Sequence, residues 1–201
     1  MKIDARHLTI ILAMCFAFAG RTEEVHEFPY KDAKVGDWVE YKTKISIPPR
    51  PNDSSIHRIP DTSQKYTVTE KTDTTITIKM TLKVAGHEFD TFQKVSLDSK
   101  FDPGVYRQVT HGGKPSMQYK EVGTSEETVT VGKKPLAAAV FTYDVNQIED
   151  ENHSNQHTET PTKAKIWRSN EVNLGGLIKM EFEYDDHKTL TLQLIDMGNG
   201  N

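Results

Sequence analysis

The sequence predicts an all-β domain: a single, strongly curved antiparallel sheet of about ten strands, a half-barrel or a barrel, with little helix. Two observations lead to this prediction. Apolar and polar residues alternate with a period of two in most segments, and short Gly-, Pro- and Asp-containing turn signals separate those segments. No long segment after residue 19 shows the period of an amphipathic helix.

The clearest strand covers residues 75–84, whose apolar positions are Ile76, Ile78, Met80 and Leu82. Threonine and lysine occupy the positions between them. Because successive side chains of a strand point to opposite faces, this segment has one dry face and one wet face.

The same alternation returns twice near the C-terminus. The apolar positions there are Ile178, Met180 and Phe182 in one segment and Leu190, Leu192 and Leu194 in the next. We expect all of these residues to share one apolar surface with those of residues 75–84. That surface is either a packed core or the wall of a cavity for an apolar ligand.

The remaining strands have weaker patterns. They are predicted at 39–47, 65–70, 87–97, 105–110, 116–122, 127–131, 135–145 and 163–169. Their short links favour antiparallel hairpins, because a parallel pair needs a long crossover. The Gly175-Gly176 pair is expected to make a turn or bulge before the strand that begins near residue 177.

Two tryptophans form a candidate aromatic surface. Trp38 and Trp167 both alternate with apolar neighbours, so they are expected to point away from the main dry face. Two interpretations remain open for these side chains. They either line a ligand surface, or they have a structural role in which they cover an end of the sheet or pack beneath a loop.

The first residues predict export. Lys2 and Arg6 precede a short apolar run, which ends in Ala17-Phe18-Ala19. This pattern is typical of a signal peptide over residues 1–19, cleaved between Ala19 and Gly20. Residues 20–201 would then form one exported domain, periplasmic or secreted, with no stable membrane span in the mature chain.

Cys15 offers an alternative to simple cleavage. It follows Leu12-Ala13-Met14, a pattern similar to a bacterial lipoprotein box, so a lipoprotein anchored at Cys15 is one alternative and an uncleaved membrane anchor is another. Cys15 is the single cysteine of the chain. A chain cleaved after Ala19 therefore has no internal disulfide, thiolate nucleophile or Cys-ligated metal site.

The charge balance argues against nucleic-acid binding. The full chain has 25 basic and 29 acidic residues, and residues 1–19 hold two basic residues and one acidic residue, which leaves 23 and 28 and a net charge of −5. The basic residues are scattered among acidic ones. No general attraction to nucleic acid or to an anionic membrane is expected.

No catalytic motif, metal site or cofactor site is predicted. His153 and His157 lie in a polar, acidic segment without a helical stripe, so we interpret them as part of a solvated loop. The carboxylate pairs such as Glu126-Glu127 are expected at turns or strand edges. Asn52 and Asn152 match the N-glycosylation pattern, which matters only in a eukaryotic source.

Three stretches carry a resemblance. They are "KVGDWVEYK" from Lys34, "EETVTVGKKPLAAAVFTY" from Glu126 and "KIWRSNEVNLGGLIKMEFEYDDHKTLTLQLIDMG" from Lys165. Together they resemble uncharacterised secreted bacterial β-rich proteins that are distantly similar to the LolA-like lipoprotein-carrier group. The resemblance implies a curved half-barrel that holds acyl chains, although Asn173 stands where that group usually has a turn proline.

The leading hypothesis is an exported, non-enzymatic β-domain that binds an apolar small molecule or a cell-envelope protein. One alternative is an extracytoplasmic hydrolase whose carboxylates are brought together by the fold. Another is a structural or adhesive module that uses an exposed strand edge.

Overall fold

A computed structural model describes residues 25–48, 62–101, 103, 117–147, 161–185 and 187–200. Nine strands account for most of them. In chain order they are β1 Trp38–Ser46, β2 Thr62–Lys71, β3 Thr75–Val84, β4 His87–Ser96, β5 Met117–Val131, β6 Lys134–Gln147, β7 Pro161–Arg168, β8 Leu177–Tyr184 and β9 Thr189–Gly198. The prediction of an all-β chain is confirmed for these residues.

All nine strands belong to one antiparallel sheet with the order β4-β3-β2-β1-β9-β8-β7-β6-β5. Most neighbours in the sheet are also neighbours in sequence, as the short links predicted. The exception is the pair β1 and β9, which lie side by side at the middle of the sheet. The first and the last of the described strands therefore lie together at the centre, and β4 and β5 form the two edges of the sheet among the described residues.

The sheet is neither closed nor strongly curled, so the predicted half-barrel or barrel is wrong. Closure would require β4 to pair with β5. Both strands expose nearly all of their side chains, and Val95 in β4 and Val131 in β5 are the buried exceptions. Neither strand carries a continuous buried row of side chains that would bring the two edges together.

The number of strands also differs from the expected number of about ten. The segments predicted at 116–122 and 127–131 form the single strand β5, which continues through a register shift between Glu121 and Gly123. The strand predicted at 105–110 lies outside the described residues.

One face of the sheet, called the inner face, carries the core. Phe182 pairs with Leu190 and Met180 pairs with Leu192 across β8 and β9, and all four side chains are buried. Burying one such side chain stabilises the fold by roughly 1.5–3 kcal/mol relative to leaving it exposed. The opposite side, called the outer face, carries mostly threonine, lysine and glutamate in β1, β2, β3, β8 and β9, but at β6 and β7 it also carries buried Val140 and Trp167.

The segment of residues 25–37 adds to this core. Tyr30 and Ala33 are buried. The ammonium group of Lys71 donates hydrogen bonds to the carbonyl oxygens of Lys31 and Ala33, at 2.9 and 2.7 Å. These bonds hold the segment against the end of β2.

The loop between β7 and β8 covers the core beside it, through buried Val172 and Leu174. Gly175 and Gly176 have φ angles of 79° and 68°, which confirms the predicted glycine turn. The N–H of Gly175 donates to the carbonyl oxygen of Pro29 at 3.3 Å. This hydrogen bond joins the loop between β7 and β8 to the segment of residues 25–37.

Several predictions concern residues outside the described part of the chain. These are the signal peptide with Cys15, Ala19 and Gly20, the histidines His153 and His157, and the glycosylation positions Asn52 and Asn152. Among the described residues, no helix has the length and apolar character needed to cross a membrane.

Candidate functional site

Eight residues of the predicted apolar surface lie together in the core on the inner face. They are Ile76, Ile78, Ile178, Met180, Phe182, Leu190, Leu192 and Leu194. Met80 is partly buried and packs against this core, and Leu82 is also partly exposed. The inner face is therefore less completely buried at Met80 and Leu82, near the β4 edge.

One row of paired residues shows this decrease in burial directly. Tyr41 pairs with Gln64, Gln64 with Leu82, and Leu82 with Phe89, so the row crosses β1, β2, β3 and β4 on the inner face. Tyr41 and Gln64 are fully buried, Leu82 is partly exposed, and Phe89 is 56% exposed. Burial is therefore lost toward β4, where the two outermost residues of the row, Leu82 and Phe89, are apolar.

The partly and fully exposed residues at this end form a continuous strip, called the inner-face margin. Its members are Met80, Leu82, Val84 and Phe89. An exposed aromatic ring beside several partly exposed aliphatic side chains is typical of a binding surface more than of scattered surface residues.

The outer face of β4 exposes a second ring. Phe92 pairs with Lys79 and is 66% exposed. Sequence reasoning placed a strand at 87–97 but assigned no role to Phe89 or Phe92. Their spacing of three residues was the available signal, because residues three apart in a strand point to opposite faces and cannot both enter one core.

Buried polar groups also lie on the inner face, behind the margin. The hydroxyl of Tyr66 donates to Gln64 Oε1 at 2.8 Å, and Gln64 Nε2 donates to Thr43 Oγ1 at 3.5 Å. Burial, and to a smaller extent neighbouring Tyr30, raises the pKa of Tyr66 above the usual tyrosine range. Tyr66 therefore stays neutral and acts as a donor in this chain of hydrogen bonds.

Trp167 lies on the outer face in β7, and only 3% of it is exposed. Its indole N–H donates to Glu127 Oε2 at 2.7 Å. The ammonium groups of Lys165 and Lys179 lie 4.7 and 4.4 Å from the ring centroid. The ring is thus covered by charged side chains, in a cation–π arrangement.

The pKa of the Glu127 carboxyl is lowered, first by the hydrogen bond from Lys165 and then by that from Trp167. Both bonds favour the ionised form. Glu126, the neighbouring residue in β5, points to the other face of the sheet. The two carboxylates therefore do not form a catalytic pair.

Trp38 is half-buried on the outer face, beneath the ammonium group of Lys65 at 4.0 Å from the ring centroid. Its indole also lies against Gly198 of β9. The structure does not bring Trp38 and Trp167 together, because β9 and β8 separate their strands. Each ring packs beneath lysine side chains at its own place.

Within the residues that the structure describes, no group of three or more His, Cys, Asp or Glu side chains is placed to hold a metal ion.

Comparison with known proteins gives a structural similarity only. No protein-family model matches the chain, and no curated protein matches it. Among solved structures, the chain is similar to the hypothetical protein CT021 from Chlamydia trachomatis, with a TM-score of 0.42 and 8% identity over 88% of this chain and 93% of that one. At this TM-score the similarity carries no conclusion about family or function.

Proposed function

We propose that this chain is an exported, non-enzymatic β-domain that binds an apolar ligand at the inner-face margin. The observation that supports the proposal is the loss of cover along the row from Tyr41 to Phe89. At β8 the inner face is packed core, with Phe182 and Ile178 fully buried. The margin is a part of that face on which added apolar surface gains burial.

The chemistry of the margin fits an acyl chain or a similar flexible apolar molecule. Leucine, valine and methionine provide adaptable apolar contact, and Phe89 provides a flat ring at the outer limit. Each Å² of apolar surface that a ligand removes from water there contributes roughly 25 cal/mol. The resemblance to the LolA-like group implies the same ligand class, although the sheet does not form the half-barrel that it also implies.

The two phenylalanines of β4 provide a matched test. The exported protein would be titrated with a fluorescent apolar probe such as N-phenyl-1-naphthylamine, and then with a long-chain fatty acid as competitor. Phe89→Ser should weaken probe binding by about tenfold, which corresponds to about 1.4 kcal/mol. Phe92→Ser removes an equally exposed ring from the other face of the same strand, and should leave binding within about twofold.

Equal effects of the two substitutions, or no saturable binding by the unsubstituted protein, would remove the basis of the proposal. Thermal unfolding of both variants is the control for folding. Both side chains are more than half exposed, so neither change should shift stability by more than about 0.5 kcal/mol.

Export is a separate part of the proposal and rests on the pattern of residues 1–20. Intact-mass measurement on the protein recovered from outside the cytoplasm should show a chain that begins at Gly20. A diacylglycerol-modified N-terminal Cys15 would instead establish a membrane-anchored lipoprotein.

A further inference from the structure

The free edge of β4 is long and regular. The strand covers His87–Ser96 and pairs with β3 along its whole length without a register shift. It ends the sheet, and no other described strand pairs with its outer side. An edge of this length, without a bulge and without a partner strand among the described residues, offers a row of backbone N–H and C=O groups to another strand.

The turn before β4 determines which residues offer those groups. Ala85 and Gly86 form a two-residue turn in which both φ angles are positive, at 49° and 84°. In such a hairpin the flanking residues Val84 and His87 exchange hydrogen bonds, and the bonded pairs then alternate along the strand. The residues whose backbone groups point to the free edge are therefore Glu88, Asp90, Phe92, Lys94 and Ser96.

The other edge of the sheet is protected. β5 has a register shift between Glu121 and Gly123, which interrupts a regular row of backbone groups. Both edges carry charged side chains, such as Glu126 and Glu127 in β5 and Glu88, Asp90 and Lys94 in β4. A bulge is a usual means by which proteins prevent edge pairing, and β4 has none.

We propose that β4 pairs antiparallel with β4 of a second copy of this chain, about a two-fold axis at Phe92. In this register Phe92 lies opposite Phe92 of the second copy, Asp90 lies opposite Lys94, and Phe89 lies opposite Val95. The inner face of one copy then continues into the inner face of the second copy, because each pair joins residues that lie on the same face.

Charge complementarity selects a second copy as the occupant. Lys94 is exposed and makes no ion pair within the described residues. Asp90 is ionised, because hydrogen bonds from Lys79 at 2.9 Å and Thr81 at 2.7 Å lower its pKa. β4 thus carries both Asp90 and Lys94, and the two-fold axis places each of them opposite the other residue of the second copy. Opposite charges that face each other on neighbouring strands are favourable.

The exposed aromatic ring supports the same arrangement. Phe92 is 66% exposed on the outer face, where the apolar-ligand proposal gives it no role. At the two-fold axis its ring meets the same ring of the second copy, and aromatic pairs across strands contribute favourably. The dimer would be one continuous sheet made of both copies.

A charge exchange tests the pairing. Sedimentation velocity over a range of concentrations should show a dimer for the unsubstituted protein. Lys94→Glu places two carboxylates opposite each other, and Asp90→Lys places two ammonium groups opposite each other. Each variant alone should self-associate at least about tenfold more weakly, and an equimolar mixture of the two should form a heterodimer.

Two further variants keep the test decisive. Lys120→Glu changes an exposed charge on β5 and should leave the dimer intact. Phe92→Lys places two ammonium groups at the axis and should abolish the dimer without changing Asp90. A monomeric unsubstituted protein, a dimer that survives every β4 substitution, or a mixture that fails to associate would each overturn the pairing.

The pairing goes beyond the apolar-ligand function and can fail separately from it. Repeating the probe titration on Lys94→Glu distinguishes the two proposals, since this variant keeps Phe89 and loses only the second copy. Retained probe binding by a monomer shows that the margin acts alone.

Discussion

The indole N–H of Trp167 donates a hydrogen bond to Glu127 Oε2 at 2.7 Å, which joins β7 to β5 across the intervening strand β6. Lys165 donates to the other carboxylate oxygen of Glu127 at 2.8 Å. One carboxylate therefore holds the exposed edge strand β5 against the better-buried part of the sheet.

Protonation of Glu127 should be visible in the fluorescence of Trp167. The lowered pKa of Glu127 means that its two hydrogen bonds contribute to stability at neutral pH and are lost as the pH falls through the folded-state pKa. We expect tryptophan emission to change with a midpoint below the usual glutamate range. This change in emission should be absent in Glu127→Gln. If the transition persists in that variant, another titrating group causes it.

Phe182→Ala should reduce the free energy of unfolding more than Met80→Ala does, because Phe182 lies in the core and Met80 lies in the inner-face margin. Phe182 is fully buried, so its truncation should cost about 3–5 kcal/mol in the free energy of unfolding. Met80 is partly exposed and should cost less than about 2 kcal/mol, below the usual range for a buried methionine. Urea unfolding of both variants provides the comparison, and similar losses would contradict the described gradient of burial.

Tyr66 should make the protein less stable at alkaline pH. Burial raises its pKa, so the unfolded chain loses the tyrosine proton first, near pH 10. Its contribution is present below that pH and is lost as the pH rises further. Urea midpoints between about pH 8 and about pH 11 should fall less steeply for Tyr66→Phe than for the unsubstituted protein.

The same Tyr66→Phe variant should be less stable at neutral pH. It removes the donor to Gln64 Oε1 and leaves a buried acceptor unpaired, at a cost of roughly 1–3 kcal/mol. An unchanged alkaline slope would show that other tyrosines cause the effect.

Gly198→Ala should displace Trp38. A Cβ at this position would lie 2.5 Å from Trp38 Nε1, so the indole must move from its place beneath Lys65. We expect a loss of about 1–3 kcal/mol and a shift in tryptophan emission. Gly123→Ala is the matched control, because a Cβ there meets nothing within 4 Å. Equal behaviour of the two variants would contradict the contact.

Local residue patterns sufficed to predict most of the strands and the faces to which their side chains point. The segment predicted at 75–84 is β3, and the alternation near Phe182 and Leu192 forms β8 and β9. These features are local, since the direction of a side chain in a strand depends only on its position along that strand. The glycine turn at Gly175-Gly176 was predictable for the same reason, because positive φ is a property of the residue and its neighbours.

The order of the strands and the position of the sheet edges depend on contacts between distant segments of the chain, which local patterns do not encode. The pairing of β1 with β9 joins distant parts of the chain, and nothing in either alternating pattern specifies its partner. The open edge at β4 and the exposure of Phe89 depend on which segments cover the inner face. The predicted closure was wrong because alternation shows that a strand has a dry face, while curvature and closure arise from non-local register and packing.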